Sequence, residues 1–169
     1  ASGNPRRAAS AIDALRRGWP IRIENSGHFI TLLAIETATD VANATGVLLS
    51  ANRAATLKLA NQRAAADTAL PVLIKAPSDL DLPLAFAIAD PVLDLVYPMK
   101  GPFLAEPLPD GASATAAIEL GRLAGLLPAF FVLPQADGEL VQVTPQDVAA
   151  FDDSGALEIA ARARLPVAV

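Results

Sequence analysis

The sequence predicts a single α/β domain, and three observations carry that prediction. Some segments space their apolar residues with helical periodicity, whereas others are short continuous apolar runs of strand length. The two kinds alternate along the chain, which is the pattern of helices packed on a sheet. The length, 169 residues without repeats or low-complexity linkers, is that of one domain with a core of its own.

The elements follow in order. Ala8, Ile12 and Leu15 form one apolar stripe on a helix from Arg7 to Arg17, with Arg16 and Arg17 suiting its C-terminal dipole and Gly18 ending it. Two strands, Trp19 to Glu24 and Phe29 to Ile35, are split by the polar turn Asn25-Ser26-Gly27-His28. Asp40 is expected to cap a short helix through Ala44. Gly46 to Leu49 is a buried strand, and Ser50 caps a helix running to about Ala60. A polar, irregular stretch to Thr68 precedes a strand from Pro71 to Ile74. Seven prolines between Pro77 and Pro109 predict short strands and long connections over 76–111, with Leu84 to Ala89 the best strand there. Ser113 to Ala124 is a helix closed by Gly125, Phe130 to Leu133 and Leu140 to Val143 are strands, and Thr144-Pro145-Gln146-Asp147 starts a helix.

Composition excludes several functions. The chain is 53% hydrophobic and 18% charged, with mean hydropathy +0.40, against roughly 25% charged in an average domain. Its most apolar stretch, Ala112 to Pro134, contains Glu119, Arg122 and Pro128, so no transmembrane helix is expected. Net charge is −5, and the basic clusters are Arg6-Arg7 and Arg16-Arg17, which is no phosphate-tracking stripe; nucleic acid is not an expected partner. The absence of Cys and of a signal-peptide-like segment leads to the expectation of a cytoplasmic protein. The apolar excess points to a subunit or domain interface.

Motifs for chemistry are sparse. Neither glycine-rich phosphate motif occurs, and the single histidine excludes a His-based metal cluster within the chain. His28 sits in the polar turn four residues after Glu24, where it is either a general acid or base or simply an exposed turn residue. Tyr97 and Lys100 bracket Pro98-Met99 and form either an anion contact or a packed tyrosine beside a solvated lysine. Asp152-Asp153, followed by Ser-Gly, reads as a solvated turn.

Several segments, in order, resemble one family. Ala11-Ile-Asp-Ala-Leu-Arg-Arg-Gly-Trp-Pro-Ile is similar to the first helix and strand of the 3,4-dihydroxy-2-butanone 4-phosphate synthases of riboflavin biosynthesis. Glu24-Asn-Ser-Gly-His-Phe-Ile resembles their Glu-Asn-Glu-Gly-Asp-Leu-Ile, and Leu95-Val-Tyr-Pro-Met-Lys their His-Val-Phe-Pro-Leu-Arg. Ala116-Ala-Ile-Glu-Leu-Gly-Arg-Leu-Ala-Gly-Leu-Leu-Pro-Ala resembles the helix carrying Asp-Leu-Ala-Arg-Leu-Ala-Gly. The resemblance is closer still to the synthase-like N-terminal domain fused to GTP cyclohydrolase II in many proteobacteria. It implies an α/β fold with a mixed sheet, helices packed on it, and a homodimer.

The family converts a pentulose phosphate to a four-carbon phosphate and formate, using magnesium held by an acidic-loop Glu and by the His of a Gly-His-Thr-Glu motif. Here Glu24 matches the metal-binding Glu, but Ile23 stands in place of a substrate-contacting Arg and His28 in place of the loop's Asp. Gly111-Ala112-Ser113-Ala114 replaces Gly-His-Thr-Glu, and Pro134 falls where a second carboxylate belongs. One retained carboxylate cannot both hold the ion and move protons. The resemblance thus implies a non-catalytic scaffold or dimerisation domain without a cofactor of its own. Its remnant cleft would hold Glu24, His28, Tyr97 and Lys100, with no catalytic residue and no metal ligand. The alternatives are a remodelled pocket for a phosphorylated metabolite and residual magnesium-dependent synthase activity on ribulose 5-phosphate. A cyclohydrolase half would bring a cysteine zinc site, which this chain lacks. The expectation is an N-terminal domain, spanning 1–169, partnered by a C-terminal cyclohydrolase II-like domain, or else a stand-alone remnant.

Overall fold

The computed structural model describes residues 3–41, 43–59, 62, 65, 67, 69–98, 101–135 and 138–164, with side chains to 154. Among these residues it is an α/β structure with five α-helices and a mixed seven-stranded sheet.

The N-terminal third forms where local sequence chemistry specifies it. Helix α1 (Pro5–Arg16) has Asn4 as its N-cap, accepting from the Arg6 N–H, and buries Ala8, Ala11, Ile12 and Leu15. Arg16 and Arg17 serve the structure: Arg16 donates to the Ala124 and Leu123 carbonyls, and Arg17 pairs with Asp13. Strands β1 (Ile21–Asn25) and β2 (His28–Ala34) make a two-residue hairpin in which Ser26 (φ 50°) and Gly27 (φ 82°) both adopt positive φ. That left-handed backbone conformation at both positions is what a type I′ turn needs to match the right-handed twist of the two strands. The β3 strand (Gly46–Leu49) is buried at every position, because helices cover both of its faces.

Four sequence expectations are corrected. No helix capped by Asp40 forms among the described residues: a turn closes over 35–38 with the Ala38 N–H donating to Ile35, residues 39 and 40 bend, and the Ala44 N–H donates to Val41. Ser50 does cap α2 (Ala51–Thr56), but the helix stops well before Ala60, a residue outside the described set along with 61, 63, 64, 66 and 68. Lys58 turns to φ 63°, the Lys58 N–H donates to Ala55 and the Leu59 N–H to Ala54, which ends the helix as the buried Leu59 drops into the core. Leu84 to Ala89 is not a strand but most of α3 (Leu82–Ala89), nucleated by Asp81, whose carboxylate accepts from the Leu84 N–H, and by Pro83 in the first turn. Asp152-Asp153 is not a turn: both lie, exposed, within α5 (Pro145–Arg164).

The remaining elements are β4 (Val72–Lys75), a 3-10 helix over Pro91–Leu95, β5 (Ala105–Glu106), α4 (Gly111–Leu123), β6 (Ala129–Leu133) and β7 (Val141–Val143). The order across the sheet is β5-β4-β3-β6-β2-β1-β7, with every pairing antiparallel except β1 with β7.

Two cores flank the sheet. On one face Ile21, Ile23, Leu32 and Phe130 pack under α1, α4 and α5. The other face sets Leu33, Val47, Leu49, Ile74 and Phe131 against α2 and α3. On α4, a Cβ at Gly121 would come within 3.1 Å of the Phe130 ring, so glycine lets this helix sit close to the sheet. Among the described residues no helix is long and apolar enough to cross a membrane.

Candidate functional site

The resemblance puts its two metal-binding stretches at the β1–β2 turn and at the start of α4. These stretches meet. The Asn25 carboxamide donates to Asp110 Oδ2 at 2.9 Å across 85 residues of sequence. Asp110 is the N-cap of α4, its Oδ1 accepting from the Ala112 N–H (2.9 Å) and the Ser113 N–H (3.4 Å). The hydrogen bond from Asn25 is the main reason its carboxyl is held below the ordinary aspartate value. The helix N–H groups and the charge of His28 act in the same direction, against a partial loss of solvation.

Glu24 and His28 flank this turn. Glu24 is half-buried near the end of β1, and its Oε1 accepts from the Gly27 N–H at 3.1 Å. His28 opens β2 and is exposed. A cavity of about 370 Å³ lies beside Glu24, bounded also by Arg7, Asn25, Ser26, Gln146 and Asp147. Asp147 is buried and ties three segments together. It accepts from the Asn4 N–H (2.7 Å) and the Thr144 N–H (2.9 Å), while its own N–H donates to Thr144 Oγ1 (3.1 Å). This is the reciprocal capping box anticipated at Thr144-Pro145-Gln146-Asp147, extended to the start of α1.

Tyr97 belongs to another part of the fold. It follows the 3-10 helix, its N–H donating to the Leu93 carbonyl, and is half-exposed. That helix neighbours α3, in the layer on the opposite face of the sheet from α1, α4 and α5. Lys100 and Met99 lie outside the described residues. Of the four expected cleft residues, Glu24 and His28 therefore share a turn.

Sequence reasoning missed Asp110, although an Asp directly before Gly111-Ala112-Ser113 is a legible cap signal. It also missed Arg53, for which no local signal exists. This arginine is 7% exposed and grips Asp94 with two nitrogens (2.7 and 2.8 Å), while donating to the Ile88 (2.7 Å) and Ala87 (3.1 Å) carbonyls. It thereby caps α3 and anchors the 3-10 helix, whose outer side is an apolar ridge: Leu95 is 94% exposed and Val92 79%, with Val96 exposed beside them.

The donor set at the turn does not fit a magnesium ion, which wants near-octahedral oxygen coordination. Glu24 is drawn into its own turn, Asp110 is committed to capping α4, and Ala112 and Ala114 carry no ligand atoms. Among the described residues no three His, Asp or Glu side chains converge on one point. The chain matches no protein-family model, and no curated protein matches it.

Proposed function

We propose that this chain is a non-catalytic, degenerate dihydroxybutanone-phosphate-synthase-like domain of a GTP cyclohydrolase II-type riboflavin protein, working as a self-association scaffold. The observation that carries the reading is the junction of the β1–β2 turn with the start of α4. The turn that resembles the family's acidic loop meets there the stretch that replaces its Gly-His-Thr-Glu motif, and hydrogen bonds within the fold engage Glu24, Asn25 and Asp110. The α/β architecture with a mixed sheet agrees with the reading. So does the apolar ridge of Val92, Leu95 and Val96, which is the kind of surface that a homodimer covers.

The alternative of a pocket for a phosphorylated metabolite is less well supported by the electrostatics. The cavity beside the turn presents Glu24 and Asp147 against the single cation Arg7, so a phosphate entering it would face two carboxylates.

Sedimentation of the full chain at several concentrations, with and without magnesium and ribulose 5-phosphate, tests the proposal. The expected result is a dimer indifferent to both additives and converted to monomer by Leu95→Asp. A wild-type monomer would overturn the scaffold role. Magnesium-dependent release of formate would overturn the loss of catalysis.

A further inference from the structure

We infer that the trough between α4 and α5 binds a small amphiphilic amine, an apolar body ending in one ammonium group. The inference is independent of the self-association reading and uses a different surface.

The three helices on this face run in the same direction. The starts of α1 and α5 are joined by the Asn4–Asp147 hydrogen bond, and the ends of α1 and α4 by Arg16 donating to Ala124 and Leu123. Between α4 and α5 lies a cavity of about 620 Å³, within the roughly 300–1,000 Å³ of small-molecule sites. Its floor is formed by Ala116 and Val148, both buried, and Gly111 and Ala149 keep its sides low. This space exists because, short of Glu119 and Asp152, both helices line it with small residues.

Two carboxylates mark one end of the trough. Glu119 is eight residues after Gly111 and Asp152 seven after Pro145, so at 1.5 Å per residue they stand about 12 and 10 Å along two parallel helices. Both line the cavity. Arg122 pairs with Glu119 across one helical turn at 3.9 Å, a partly exposed and therefore weak ion pair, and both line an adjoining cavity of about 290 Å³. Asp152 has no ion pair among the described residues. An apolar floor closed by two carboxylates is complementary to an apolar body with a single positive end. A neutral ligand would gain the floor alone, and an anionic one would be repelled.

The test uses amide NMR titrations of the full chain with 2-phenylethylammonium, its neutral isostere 2-phenylethanol, and 3-phenylpropionate. The expected result is saturable shifts at Ala112, Thr115, Ala116 and Ala149, with the amine binding about fivefold more tightly than the alcohol and the carboxylate weakest. The double variant Glu119→Gln, Asp152→Asn, changed only at accessible positions, should bind amine and alcohol alike. Ala149→Leu, a good helix former that fills the trough, should bind neither. Equal binding of amine and alcohol by the unaltered chain overturns the proposal. So does a preference that survives in the double variant, shifts centred elsewhere, or no saturation by about 10 mM amine.

Discussion

Replacing Arg53 with Met tests whether a buried cation organises the second face of the domain. The substitution keeps an unbranched apolar stem in a site only 7% exposed, so the packing loss is small and the loss of the guanidinium dominates. Four hydrogen bonds disappear, two to Asp94 and two to the Ala87 and Ile88 carbonyls near the end of α3. An orphaned buried carbonyl costs about 1 kcal/mol or more, so the two together cost about 2 kcal/mol. Asp94 has a side chain 31% exposed and recovers part of its hydration. Its share is accordingly nearer 1 kcal/mol than the roughly 3–5 kcal/mol seen when a fully buried pair is broken. The expected total is about 3 kcal/mol, or a fall in Tm of roughly 6–12 °C for a chain of this size. Urea unfolding monitored by far-UV circular dichroism reads it directly, and Asp94→Asn should cost clearly less because the carbonyl contacts survive. A loss below about 0.5 kcal/mol for Arg53→Met would refute the reasoning, since the guanidinium would then be organising nothing.

Three further outcomes are expected. The Gln62 amide donates to the Phe103 carbonyl and accepts from the Ala105 N–H, both at 2.6 Å, and so occupies a strand's place beside β5. Gln62→Ala should raise concentration-dependent association in light scattering by opening that edge, and unchanged scattering would argue against a guard role. Asp110 has a lowered folded-state pKa, so its contribution to stability is complete above the unfolded value of 3.8 and is lost as pH falls through the lower folded value. Unfolding curves of Asp110→Asn should therefore lose part of the acid sensitivity below about pH 4, and identical slopes for both proteins would count against the assignment. Gly27→Ala places a Cβ on a residue at φ 82° in open space, so backbone strain alone should cost about 1 kcal/mol in thermal unfolding.

Much of the candidate site was legible, although its assembly was not. The turn around Asn25-Ser26-Gly27-His28 carries its signal within a few residues, whereas the start of α4 was marked by the resemblance alone and its Asp110 cap was passed over. Their meeting through Asn25 and Asp110 depends on how β1 and α4 pack, and nothing near either residue encodes that. The start of α5 was readable because Thr144, Pro145 and Asp147 satisfy one another's backbone locally. The exposed ridge at Val92 and Leu95 was not readable, since an apolar residue in a proline-rich stretch looks the same whether it is covered or bare.

By itself the sequence determined the α/β character, the apolar stripe and C-terminal end of α1, the β1–β2 hairpin, and the caps at Ser50 and Thr144. Each of these is governed by periodicity or by hydrogen bonds spanning three or four residues. Tertiary structure decided that β7 lies beside β1 in parallel and that α2 stops where Leu59 enters the core, and it secured the end of the helix that Asp81 and Pro83 start over the short run at 84–89. The physical reason is common to these cases. A short apolar run gains similar burial as helix or strand, so the outcome is set by which distant partners complete its hydrogen bonds. At the end of α3 that partner is Arg53, 34 and 35 residues away in sequence.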